Sequence, residues 1–126
     1  MDKKKILIID DEQSFSEMVK VNLESTNKYE VKLEIDSRNA LSSVRKYRPD
    51  LILLDFIMAH MEGPDVARVI SEDSALKEIP TIFLTATVTQ KEVDEGGGMI
   101  GGHPFVAKPR SLETLLDAID KNMMAV

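Results

Sequence analysis

Three short apolar runs constrain this chain more than any other feature. They are Ile6-Leu7-Ile8-Ile9, Leu51-Ile52-Leu53-Leu54 and Thr81-Ile82-Phe83-Leu84. Each is too short for a core helix, rich in β-branched residues or leucine, and followed at once by a polar residue. Runs of this kind suit strands buried on both faces of a parallel sheet. Helical spacing separates them. Phe15, Met18, Val19 and Leu23 share one helical face, as do Leu41 and Val44, and then Val66, Val69 and Ile70. Ser14 with Glu17 has the capping-box spacing for the first helix, and Pro64 suits the first turn of the third. Over residues 30–36, Val31, Leu33 and Ile35 alternate with charged residues, the pattern of a half-exposed edge strand. Phe105-Val106-Ala107 is a short last strand. Leu112, Leu115, Leu116, Ile119 and Met123 form the apolar stripe of a final helix.

Strands alternating with helices five times predict an α/β fold with a parallel sheet. Right-handed crossovers, with three central and two peripheral strands, select the flavodoxin-like order 2-1-3-4-5. The 126 residues fit one domain, residues 1–126. Cysteine is absent, which removes disulfides, thiol catalysis and zinc–thiolate sites. A net charge of −6 argues against direct nucleic-acid binding by this chain. No apolar stretch is long enough to span a membrane or form a signal-peptide core, so a cytoplasmic location is expected.

In such a sheet the C-terminal ends of the strands share one rim, where ligands bind. There the sequence places Asp10-Asp11-Glu12, Asp55, Thr85-Ala86 and Lys108-Pro109. Crowded carboxylates repel one another, and Mg²⁺, which prefers oxygen ligands, relieves that repulsion. A carboxylate oxygen beside the ion can attack phosphorus, while Lys108, the Thr85 hydroxyl and the Ala86 N–H face the phosphoryl oxygens. Each of these signals alone reads as an ordinary loop or cap. Their joint placement at four strand ends points to chemistry.

On these segments, with Met58, Met61 and Gly63 after Asp55, the chain resembles the receiver domain of bacterial two-component response regulators. The resemblance implies that Asp55 is the phosphoacceptor. It implies that Asp10, Asp11, Asp55 and the backbone carbonyl of Ile57 hold Mg²⁺. Thr85 and Lys108 would contact the phosphoryl group, Thr85 and Phe105 would act as the switch pair, and Lys108-Pro109 would be cis. Its expected partners are a sensor histidine kinase or phosphotransfer protein and a downstream protein or output domain. A phosphorylation-dependent dimer is also compatible with it.

Several positions depart from the family pattern. Ala59 stands where proline is usual, which suggests a looser loop. Phe105 replaces the common tyrosine and should favour an inward rotamer. Ile57 and Thr87 replace polar residues that influence the hydrolytic water. Glycines 96, 97, 98, 101 and 102 predict a short or frayed fourth helix. Gly96-x-Gly98-x-x-Gly101 matches a dinucleotide fingerprint only formally, since it neither follows a strand nor opens a helix. Two other classes compete. An aspartyl-phosphate phosphatase would need an acidic pair after a late strand, which this sequence lacks. A flavodoxin-like nucleotide binder would need a neutral first loop, where Asp10-Asp11-Glu12 would repel phosphate.

Overall fold

A computed structural model describes residues 3–86, 99–100, 103–108 and 113–124. The three apolar runs form β1 (Lys4–Ile9), β3 (Leu51–Asp55) and β4 (Thr81–Thr85). The alternating segment forms β2 (Tyr29–Glu34). A two-residue strand β5 (Met99–Ile100) precedes β6 (His103–Ala107). The sheet order is β2-β1-β3-β4-β6-β5. The first five in that row are mutually parallel, so the predicted order holds with β6 as the fifth parallel strand. Helices α1 (Gln13–Glu24), α2 (Ala40–Tyr47), α3 (Gly63–Ser71) and α4 (Glu113–Met124) complete the described elements.

Strand alternation sends side chains to both faces, and helices cover both. Ile6, Ile8, Leu53 and Leu84 pack with Val19 and Leu23 of α1 and with Leu115 and Ile119 of α4. Leu7, Ile9, Leu54 and Phe83 pack on the other face with Val44 of α2 and with Val66 and Ile70 of α3. The middles of the central strands are therefore apolar because they have no solvent face. The register aligns Ile9 with Leu54, Asp55 with Leu84, and Thr85 with Ala107. This alignment brings the polar residues after each run to one rim.

Four local expectations are corrected. Ser14 does not cap α1. The helix begins at Gln13, with Glu12 at the cap position, and no side chain bonds across the cap. The Glu12 N–H instead donates to Asp10 Oδ1 at 2.9 Å, so the loop is closed by a carboxylate before the helix starts. Met18 is exposed, and Ser16 rather than Met18 joins Val19 and Leu23 in the buried stripe. Ile35 lies beyond β2 and is exposed. The β1–β2 ladder ends where Asp10 N–H donates to the Glu34 carbonyl, and Asp36 then caps a 3₁₀ turn, Ser37–Asn39. The last parallel strand is not an edge, because β5 pairs antiparallel with β6 through Met99–Pro104 and Ile100–His103. Met99 and Ile100 are extended. The rest of the predicted fourth helix, its glycines, Thr87, Leu112 and the Lys108-Pro109 bond lie outside the described residues.

Gly63 opens α3 with its Cα pressed against the end of β3. Its N–H donates to the Phe56 carbonyl at 3.0 Å. A Cβ at this position would meet the Asp55 carbonyl oxygen and would stand 3.0 Å from the Phe56 Cα. These are backbone atoms, which cannot swing aside. Gly63→Ala is expected to lower stability by about 1–3 kcal/mol, the usual range for overpacking. Urea denaturation measures this, and an unchanged midpoint would show that the strand end has slack.

Candidate functional site

The acidic rim is built from backbone first. Asp10 is held at the end of β1 by the Glu34 carbonyl, and Phe56 N–H donates to the Leu84 carbonyl at 2.7 Å, fixing the residue after Asp55. Lys108 N–H donates to the Thr85 carbonyl at 2.7 Å, extending the β4–β6 pairing to the lysine. These bonds fix where the side chains start. Asp10 is fully buried, and Asp55 and Thr85 nearly so, while Asp11 and Ala86 are exposed.

Lys108 Nζ sits among three carboxylates. It lies 3.0 Å from Asp10 Oδ2, 3.1 Å from Glu12 Oε1 and 3.6 Å from Asp55 Oδ1. The Phe15 ring lies below it, with its centroid 4.7 Å from Nζ, a cation–π distance. The lysine side chain is only 10% exposed. Burial by itself disfavours its ammonium, but the Asp10 carboxylate, then Asp55 and Glu12, outweigh that and raise its pKa. Lys108 is therefore charged across the neutral range.

One ammonium does not balance the cluster. Oxygens of Asp10, Asp11 and Asp55 lie within 4.8 Å of one another. Asp10 Oδ2 is buried, and the Lys108 ammonium at 3.0 Å is its close partner. Burial first, and the Asp10 charge second, push the Asp55 carboxyl up to about 7, against a smaller opposing pull from Lys108. Three crowded carboxylates, one of which resists ionisation, against a single ammonium fit an oxygen-seeking divalent cation such as Mg²⁺. The three acids named from sequence are the three that converge. Ile57 lies on the following loop and is 51% exposed.

Phe105 is half-buried and packs against Phe56 with ring centroids 5.6 Å apart, edge to face. Phe56 in turn packs against Phe83 at 5.5 Å, and Phe83 against His103 at 5.5 Å. The residue next to Asp55 thus touches the expected switch aromatic directly.

Sequence reasoning missed several contributors. Nothing in the Glu12 sequence context signals its contact with Lys108. Phe15 looked like plain core. Phe56 carried no signal, being one more apolar residue after a strand. Ala59 was expected to loosen its loop, yet its N–H donates to Asp11 Oδ2 at 2.9 Å and its carbonyl accepts from Ser37 Oγ at 2.8 Å.

The raised Asp55 pKa has a consequence for stability. Its proton is bound more tightly in the folded than in the unfolded chain, where the ordinary value is 3.8. The contribution is therefore fully present below pH 3.8 and is lost as pH rises through about 7. In metal-free buffer the wild type should lose stability over that window relative to Asp55→Asn, whose amide does not titrate. Chemical denaturation at several pH values checks this, and parallel profiles would contradict the raised pKa.

The family model for the response regulator receiver domain matches residues 6–120. The chain is 34% identical over 119 residues to the nisin biosynthesis regulatory protein NisR of Lactococcus lactis, covering 94% of this chain and 50% of that protein. It is 36% identical over 107 residues to the DNA-binding response regulator MtrA of Mycolicibacterium smegmatis, covering 85% of this chain and 45% of that one. The chain thus spans about half the length of the curated relatives it matches. Among solved structures, chemotaxis protein CheY4 of Vibrio cholerae superposes with a TM-score of 0.80 at 31% identity, covering 95% of this chain and 98% of that one. The receiver domain of HemR from Leptospira biflexa superposes with a TM-score of 0.76 at 29% identity, covering 96% and 94%. The parallel sheet in its expected order, the acid cluster at its rim and these matches together make this chain a member of the response regulator receiver domain family.

Proposed function

We propose that this receiver is a phosphoacceptor switch in which Asp55 takes a phosphoryl group in a Mg²⁺-dependent reaction. The observation that carries this reading is the convergence of Asp10, Asp11 and Asp55 with Lys108 at one rim. An ionised Asp55 oxygen attacks the phosphorus of a phosphohistidine on a sensor kinase or phosphotransfer protein. The new O–P bond forms as the N–P bond breaks, and the imidazole nitrogen leaves with the electron pair. Asp10, Asp11 and the Ile57 carbonyl would hold Mg²⁺ together with Asp55, and the bound ion would offset charge on the phosphoryl oxygens.

Lys108 is near enough to Asp55 to follow the charge onto the phosphoryl group, leaving Glu12. Thr85 and the Ala86 N–H, at the end of the neighbouring strand, supply further donors. Phe105 already packs beside Phe56, which supports an inward bias of the switch aromatic. Phosphorylation adds between one and two negative charges at the rim. A downstream protein, an output domain or a second copy of this chain would read the resulting shift. The chain acts in the cytoplasm in this reading, in keeping with the absence of a membrane-crossing helix among the described residues. It is a switch that assists its own phosphorylation rather than an enzyme with turnover, and direct nucleic-acid contact belongs to an output segment.

Incubation with a small phosphodonor and Mg²⁺, followed by intact-mass spectrometry, tests the proposal. One added phosphoryl group is expected in the wild type and none in Asp55→Asn or with a chelator. Equal labelling of Asp55→Asn would overturn the assignment. Ile57, two residues after Asp55, carries an exposed apolar side chain, which cannot orient a water molecule. Ile57→Asn should therefore shorten the phosphoryl lifetime, read from the decay of the labelled mass. An unchanged or longer lifetime would remove Ile57 from the account.

A further inference from the structure

We propose that Ala59 is a positioning residue whose backbone N–H, anchored through its own carbonyl to Ser37, orients the Asp11 carboxylate for a divalent cation. The inference rests on the metal reading above and adds a residue to it.

Asp11 differs from its two acidic neighbours. Asp10 and Asp55 are buried and fixed by packing, whereas Asp11 is exposed. An exposed carboxylate samples several rotamers and loses that freedom when it ligates an ion. Here Asp11 Oδ2 accepts the Ala59 N–H at 2.9 Å across the gap between the β1–α1 and β3–α3 loops. The donor is itself held. The Ala59 carbonyl accepts from Ser37 Oγ at 2.8 Å, and the same hydroxyl accepts the Met61 N–H at 3.1 Å. Ser37 is 2% exposed, so this anchor is set into the fold rather than into the loop. The 3₁₀ turn after β2 thereby fixes a loop that lies between it and the acid cluster.

The arrangement depends on the residue type at 59. A proline there has no N–H to give, whereas glycine keeps the donor. Hydrogen-bond partners of metal-ligating carboxylates commonly affect ion affinity by 10- to 100-fold, and the exposure of Asp11 argues for the lower end. Ser37 acts one step further back, by holding the donor in place.

Calorimetric titration of MgCl₂ into the wild type, Ala59→Gly and Ala59→Pro tests the proposal, with melting in chelator as a control for folding. Ala59→Gly should bind within about twofold of the wild type, and Ala59→Pro about tenfold more weakly. Wild-type affinity in the folded proline variant would overturn the inference while leaving the metal reading intact. No binding by the wild type would instead sink the metal reading. The contact is then judged by amide exchange in metal-free protein. The Ala59 amide should be protected in the wild type and lose protection in Asp11→Ala, and an unprotected wild-type amide would overturn the proposal.

Discussion

The rim of this receiver holds an imbalance of charge around two buried carboxylates, Asp10 and Asp55. Lys108 is enclosed by Asp10, Glu12 and Asp55, yet a single ammonium cannot satisfy them together with Asp11. Burial strengthens each interaction and raises the cost of leaving one incomplete. The sharing of one ammonium among several acids and the raised Asp55 pKa are two expressions of the same deficit. By the proposed mechanism a divalent cation, and then a phosphoryl group whose charge Lys108 follows, offset this deficit.

The sheet makes this imbalance sustainable. Carboxylates are held close because strands β1 and β3 are adjacent and their apolar segments are clamped between two helical layers. The repulsion is borne by core packing at each strand, where truncating a single buried leucine costs about 2–5 kcal/mol. Gly63 belongs to the same constraint, since α3 can start against the Asp55 carbonyl only without a side chain. The aromatic line from Phe105 through Phe56 and Phe83 to His103 then joins the neighbour of Asp55 to strand β6.

Much of this was legible in the sequence because parallel strands announce themselves. Ile6–Ile9 and Leu51–Leu54 are apolar at every position, and the residue after each run had to emerge at the rim. That rule puts Asp10, Asp55, Thr85 and Lys108 at the rim, and the resemblance to receivers supplies their expected roles. What escaped was set by contacts between separate loops. Ser14 has the composition of a cap, but the Asp10 carboxylate had already taken the Glu12 N–H. The hydrogen bond at Ala59 uses a backbone atom, so the side chain gives no hint of it. Strand β5 owes its existence to pairing with β6 rather than to a pattern of its own, which two residues cannot display.

The most direct test of the central claim is proton release on ion binding. If burial and like charge hold the Asp55 proton until a cation replaces it, adding Mg²⁺ near pH 6 must expel that proton. Calorimetric titrations in buffers of different ionisation enthalpy count it. The account predicts close to one proton released per ion in the wild type and none from Asp55→Asn. Binding without proton release, or equal release from the variant, would contradict it.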